Sequence, residues 1–138
     1  MALQQPGFTL PGFVAGADLT DHQFKVVTIT AENTVGLCGN TDVPIGILQN
    51  APDDGEQCQI MVSGLSKVIL DDGADSAVSA GDLVAMTNQN GAVANGNDDT
   101  AANVADGNVI IGQAYKDAAA GSTGSVLFNC QSYWGVVS

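Results

Sequence analysis

The stretch PIGILQNAPDDGEQCQIMVSG, Pro44 to Gly64, gathers Asp53, Asp54, Glu56 and Cys58 around one glycine. Paired carboxylates can do general acid–base work or cleave glycosides, one donating a proton while the other acts as base or nucleophile. Asp71-Asp72 is a second pair. A glycosidase also needs aromatic platforms for sugar rings, and the chain has only one Trp, two Tyr and four Phe. A Ser-His-Asp or Cys-His mechanism would have to pass through His22, the single histidine, which lies in DLTDHQF beside Asp18 and Asp21. No GxSxG elbow presents a serine to it. A lone histidine just ahead of a strand reads as a surface or capping residue.

The remaining candidates are weaker. DDGADS (Asp71 to Ser76) and NGNDD (Asn95 to Asp99) are oxygen-rich and invite calcium. Neither keeps the EF-hand order of a glycine sixth and a glutamate twelfth. No GxxxxGK[ST] phosphate loop is present. Cys38, Cys58 and Cys130 form no CxxC or Cys/His zinc set, and their odd number argues against a secreted disulfide framework. Cys58 alternates with Gln57 and Gln59 and shares a face with Ile60 and Val62. Cys130 has the parity of Val126 and Phe128. Both read as small buried hydrophobes. No catalytic residue, metal site or cofactor is expected, so the chain does not read as an enzyme.

Charge narrows the choice further. Fifteen acidic residues face three lysines (Lys25, Lys67 and Lys116) and no arginine, for a net charge of −12. Nucleic-acid binding requires cations to displace phosphate counterions, so DNA would repel this chain. The same field keeps free molecules apart. The N-terminus lacks a basic segment followed by an apolar one, so no signal peptide is expected. No stretch approaches the roughly 20 apolar residues of a membrane span.

What would position these groups is a set of short strands. From Phe24 onward, FKVVTIT, VPIGILQ, QCQIMVSG, KVIL, DLVAMT, VIIGQAY and SVLFNC follow one another, bounded by Gly, Asn or Asp. The pattern predicts an all-β barrel or sandwich with little helix, at most one turn around Asp98 to Val104 in the Asn95 to Asn108 loop. Residues 1–20 read as an extended N-terminal arm, punctuated by Pro6-Gly7 and Pro11-Gly12 yet carrying Phe8, Leu10, Phe13 and Val14. Such an arm packs on its own domain or on a neighbouring subunit. Residues 21–130 form a single β domain, and 131–138 a C-terminal tail. In that tail Tyr133 and Trp134 either cover one end of the core or make a contact patch for a partner.

The domain carries an internal repeat, about 24–62 and 81–128. Ile45-Gly46 is followed by Gly55 and the strand QCQIMV; Ile111-Gly112 is followed at the same distance by Gly121 and GSVLF. Upstream, KVVTITAENTV (Lys25 to Val35) aligns without a gap on DLVAMTNQNGA (Asp82 to Ala92). Two β halves about a pseudo-two-fold are expected. The second copy of the acidic turn, AYKDAAAGSTG, keeps the glycine and loses the acidity of Asp53, Asp54 and Glu56. Asp53-Asp54-Gly55 is therefore read as a turn requiring positive φ, with solvated carboxylates.

The segments AGADLTDHQFKVVTIT, VPIGILQNAPDDGEQCQIMVSGLSKV, SAGDLVAMTNQNGAVA and VIIGQAYKDAAAGS, in that order, resemble the capsid decoration (cement) proteins of tailed bacteriophages. The shared elements are P-I-G-x-L-Q-x-A-P, a G-x-S-K-V strand and an A-G-D-x-V hairpin, spread over roughly residues 15 to 128. The resemblance implies a β-rich virion protein, made in the host cytoplasm, on the outer surface of the expanded capsid. It would stabilise the shell by bridging major capsid protein subunits, as a homotrimer at three-fold and quasi-three-fold sites. On this view Phe8, Leu10, Phe13, Val14, Tyr133 and Trp134 are the candidate capsid or intersubunit contacts. The alternative is a carbohydrate- or receptor-binding β module of a head fibre or host-attachment structure, using Tyr133 and Trp134.

Overall fold

The computed structural model describes residues 8–39, 42–73, 76–87, 91–96 and 109–129. Among these the chain is all-β, as its strand propensities require, with ten strands and no helix. They are β1 (Phe8–Leu10), β2 (Val14–Ala15), β3 (Val26–Ala31), β4 (Thr34–Leu37), β5 (Gly46–Leu48), β6 (Ile60–Ile69), β7 (Leu83–Met86), β8 (Val93–Asn95), β9 (Ile110–Ala114) and β10 (Thr123–Asn129). The predicted turn of helix at Asp98 to Val104 lies outside the described residues, as do Cys130, Tyr133 and Trp134.

All ten strands join one sheet in the order β2-β4-β3-β5-β6-β10-β9-β7-β8, with β1 laid on β6. The path stays open between β2 and β8, so the sheet does not close into a barrel. Its centre is palindromic. β4-β3-β5-β6 in one direction is matched by β8-β7-β9-β10 in the other, with β6 and β10 antiparallel at the middle.

The registers repeat as well. Val27 faces Gly46 as Val84 faces Gly112, and Val26 faces Ile47 as Leu83 faces Gln113. Ile47 faces Met61 as Gln113 faces Leu127, and Leu48 faces Ile60 as Ala114 faces Val126. The hairpins differ by one residue: Val27 pairs with Leu37, whereas Val84 pairs with Asn95.

The core has two main compartments. The larger holds Val26, Cys38 and Ile47 from the first half, Val68 of β6 with Leu70 just after it, and Val84, Met86, Val93, Ile111, Val126 and Phe128 from the second. The smaller holds Val27, Val35, Leu48, Cys58 and Ile60 with Ala15 and Leu19, and Phe13 packs against it. Val26 and Val27 are adjacent and both fully buried, one in each compartment. β3 thus has two dry faces here, which is why its sequence reads as an apolar run rather than an alternation. The end of β10 has one dry face: Val126 and Phe128 point in, while Leu127 between them is 46% exposed.

Candidate functional site

The acidic turn is a self-capped turn. Asp53 N–H donates to Glu56 Oε1 at 2.8 Å, Asp54 N–H to Asp53 Oδ1 at 2.7 Å, and Glu56 N–H to the Asp53 carbonyl at 3.0 Å. The Asp53 and Glu56 carboxylates are occupied with neighbouring backbone donors, and residues 53–57 are exposed. Gly55 adopts φ +81° and its counterpart Gly121 φ +75°, the left-handed region that favours glycine in both copies. Asp71 is used similarly, its Oδ1 accepting from Gly73 N–H at 3.0 Å. Among the described residues no three His, Cys, Asp or Glu side chains come together as a metal-binding group.

His22 is half-buried at the join between the two halves. It borders a groove of about 480 Å³ with Lys25, Leu37, Ile69, Leu70, Asp72, Ala92 and Gly121. Its Nδ1 is buried without a hydrogen-bond partner. Nearby Asp18 accepts from both the hydroxyl (2.7 Å) and the N–H (3.0 Å) of Thr20. Those bonds hold its carboxyl below the usual carboxylate range, the Thr20 hydroxyl most of all, with a smaller pull from His22. No serine, threonine or cysteine is among the described residues that line the groove.

The cysteines follow the apolar reading. Cys38 and Cys58 are free and buried. Burial pushes the Cys38 thiol up to about 12, with Asp42 adding to it, and burial also raises Cys58. Neither supplies a thiolate near neutral pH.

The proposed contact residues are dispersed. Phe8 and Leu10 belong to β1, which pairs with β6 at Ser63 and Ile60. Leu10 borders a cleft of about 410 Å³ with Thr9, Pro11, Asn50, Gln57, Cys58 and Gln59. Phe13 is half-buried against the smaller core compartment. Val14 pairs in parallel with Thr34 of β4. Of the two packing options for the arm, the segment from Phe13 to Leu19 takes its own domain. Ala15 and Leu19 are core residues there, and Leu19 N–H donates to the Pro52 carbonyl at 2.9 Å.

Sequence reasoning missed two surface features. Phe24 is held at φ +68°, a strained conformation for a bulky residue, with the Lys67 ammonium 5.4 Å above its ring. The β-branched run of β3 also ends in solvent, with Ile29 52% and neighbouring Val43 55% exposed. Nothing in a β-branched run tells which of its residues will lack a cover.

Comparison with known proteins follows from this fold. The "head fiber gp8.5 N base" of bacteriophage phi29 superposes with a TM-score of 0.61, covering 89% of this chain and 94% of that one at 12% identity. At that identity the likeness is one of fold. No curated protein matches. The family model described as phage cement protein matches residues 5–130, nearly the whole chain and all of the strands among the described residues, and the protein therefore belongs to the phage cement proteins, structural proteins of the virion's capsid surface.

Proposed function

We propose that this protein binds the outer surface of the expanded capsid and stabilises it by bridging neighbouring major capsid protein subunits, as a homotrimer at three-fold and quasi-three-fold positions. The observation that carries the reading is the family match over residues 5–130, which spans both repeats rather than one motif. The physical properties agree with it. A net charge of −12 keeps free copies dispersed until a shell offers a site. A protein that binds only the assembled, expanded shell shifts the equilibrium toward it by mass action, and many bridging copies add avidity. Phe8 and Leu10 of the arm, the part-exposed sides of Phe13 and Val14 that their own domain leaves uncovered, and the tail residues Tyr133 and Trp134 belong to this reading as contacts with the shell or with a neighbouring copy.

A second reading, the base of a head fibre carrying a carbohydrate- or receptor-binding function, is favoured by the fold shared with the phi29 fibre base. Quantitative mass spectrometry of purified virions separates the two. A copy number near one per major capsid protein is expected for the cement reading. A handful of copies per particle favours the fibre, and absence from the virion refutes both.

A further inference from the structure

The repeat is broken at one place, and the break leaves a strand edge open. In the second half, the edge of β7 beyond Val84 is covered: Ala85 pairs with Ile110, and Met86 N–H donates to the Val109 carbonyl at 2.9 Å. Under the register equivalence Val27/Val84 and Gly46/Gly112, the matching residues of the first half are Ile29 for Met86, Val43 for Val109 and Pro44 for Ile110. Among the described residues that cover is missing. β5 pairs with β3 only at Val26 and Val27, because it begins at Gly46 and the ladder runs no further back. The Val43 carbonyl accepts instead from the Thr28 hydroxyl at 2.7 Å.

Residues in an antiparallel strand present their N–H and C=O to alternate sides. Cys38 N–H reaches the Val26 carbonyl from the β4 side, and Ile45 N–H reaches the Val27 carbonyl from the β5 side. Ile29, two residues beyond Val27, therefore offers its backbone pair to the β5 side, where no described residue meets it. Met86 is fully buried, whereas its counterpart Ile29 is 52% exposed and Val43, beside it, 55%. The pairing of β3 with β4 shifts register only past Ile29, between Ile29 and Ala31, and up to there the edge is β-branched and carries neither lysine nor proline, so it can template another strand.

Charge selects the occupant. Glu32 and Asp42 flank this edge and both are exposed. The three lysines are elsewhere: Lys25 in the His22 groove, Lys67 over Phe24, Lys116 beside Asp117. A second copy pairing edge to edge would set these acids against their like, which disfavours self-pairing. We infer that the open edge of β3 from Thr28 to Ala31, with Val43, receives an extended segment of the shell protein bearing lysine or arginine, which adds a strand there. This rests on the capsid-binding reading above and assigns a surface to it.

The test is co-sedimentation of the purified protein with emptied, expanded capsids. Ile29→Lys and Val43→Lys place a repelling charge on the edge at exposed positions, so each melts within about 2 °C of wild type. Each is expected to weaken shell binding at least about tenfold, while Leu127→Lys, on an exposed site of the other half, leaves it unchanged. Amide exchange at Ile29, fast in the free protein, is expected to slow on the shell. Wild-type affinity for both edge variants overturns the inference, as does equal weakening by Leu127→Lys. Loss of self-association with shell binding intact overturns it too, making a second copy the occupant. Wild-type protein that fails to bind shells refutes the functional reading itself, and this inference with it.

Discussion

Replacing Gly112 or Gly46 with alanine tests the repeat where it is most tightly built. A Cβ on Gly46 would lie 2.5 Å from the Met61 carbonyl oxygen and 2.5 Å from Ile60 Cγ2. On Gly112 it would run into the Leu127 carbonyl oxygen. Met61 and Leu127 are equivalent residues, so both copies use the same close approach of the closing strand. Neither carbonyl can retreat easily. Met61 is paired with Ile47 on one side and Thr9 on the other, and Leu127 with Gln113 and Leu65. The clash is with backbone inside a ladder, so the cost belongs at the upper end of the overpacking range, about 3 kcal/mol per substitution. For a domain of this size that lowers the melting temperature by about 10 °C. Gly36→Ala is the control. There a Cβ meets only Thr30 Cγ2 at 3.1 Å, a side-chain methyl on the exposed hairpin, and a loss of less than about 1 kcal/mol is expected. Differential scanning calorimetry of the three variants reads the result directly. If Gly46→Ala and Gly112→Ala both melt within about 2 °C of wild type, the close approach is not a constraint and the shared glycine has another origin.

Further outcomes follow from the same packing. Leu19→Ala removes a core side chain from the N-terminal segment and is expected to cost about 3 kcal/mol, measured by urea unfolding; an effect below about 1 kcal/mol would mean that the segment is not part of the core. Cys38 gives an alkaline signature. Its thiol stays protonated in the fold up to about 12, whereas the unfolded thiol ionises from 9.0. The unfolded state then binds fewer protons, so this contribution is complete below pH 9.0 and is lost by up to about 1.4 kcal/mol per pH unit above it. Comparing the pH slope of stability in wild type and Cys38→Ala isolates it, and identical slopes would refute the assignment. Finally, Asp53→Ala combined with Glu56→Ala removes the caps of the acidic turn and is expected to cost about 1 kcal/mol or less, with shell binding unchanged. Loss of shell binding in that stable double variant would return the turn to the functional surface.

Much of this molecule is local physics and was readable from the chain. Strand propensity with closely spaced turn signals made it all-β. The glycine common to both turns marked Asp53-Asp54-Gly55 as a turn, because positive φ is a requirement of one residue on itself. The alternation Gln57-Cys58-Gln59-Ile60 placed Cys58 inside. Matching the Ile-Gly strands revealed a repeat that the registers around those strands then reproduce. Other features depend on what arrives from a distance. That β3 is dry on both faces needs Ala15 and Leu19 on one side and the second half of the sheet on the other. That Ile29 meets solvent while Met86 is buried follows from how far the neighbouring strand reaches: β9 carries its ladder with β7 on to Ile110, opposite Ala85, whereas β5 begins only at Gly46. A period of two tells which residues share a face, but only the assembled sheet decides whether another strand covers an edge, because that neighbour comes from elsewhere in the chain.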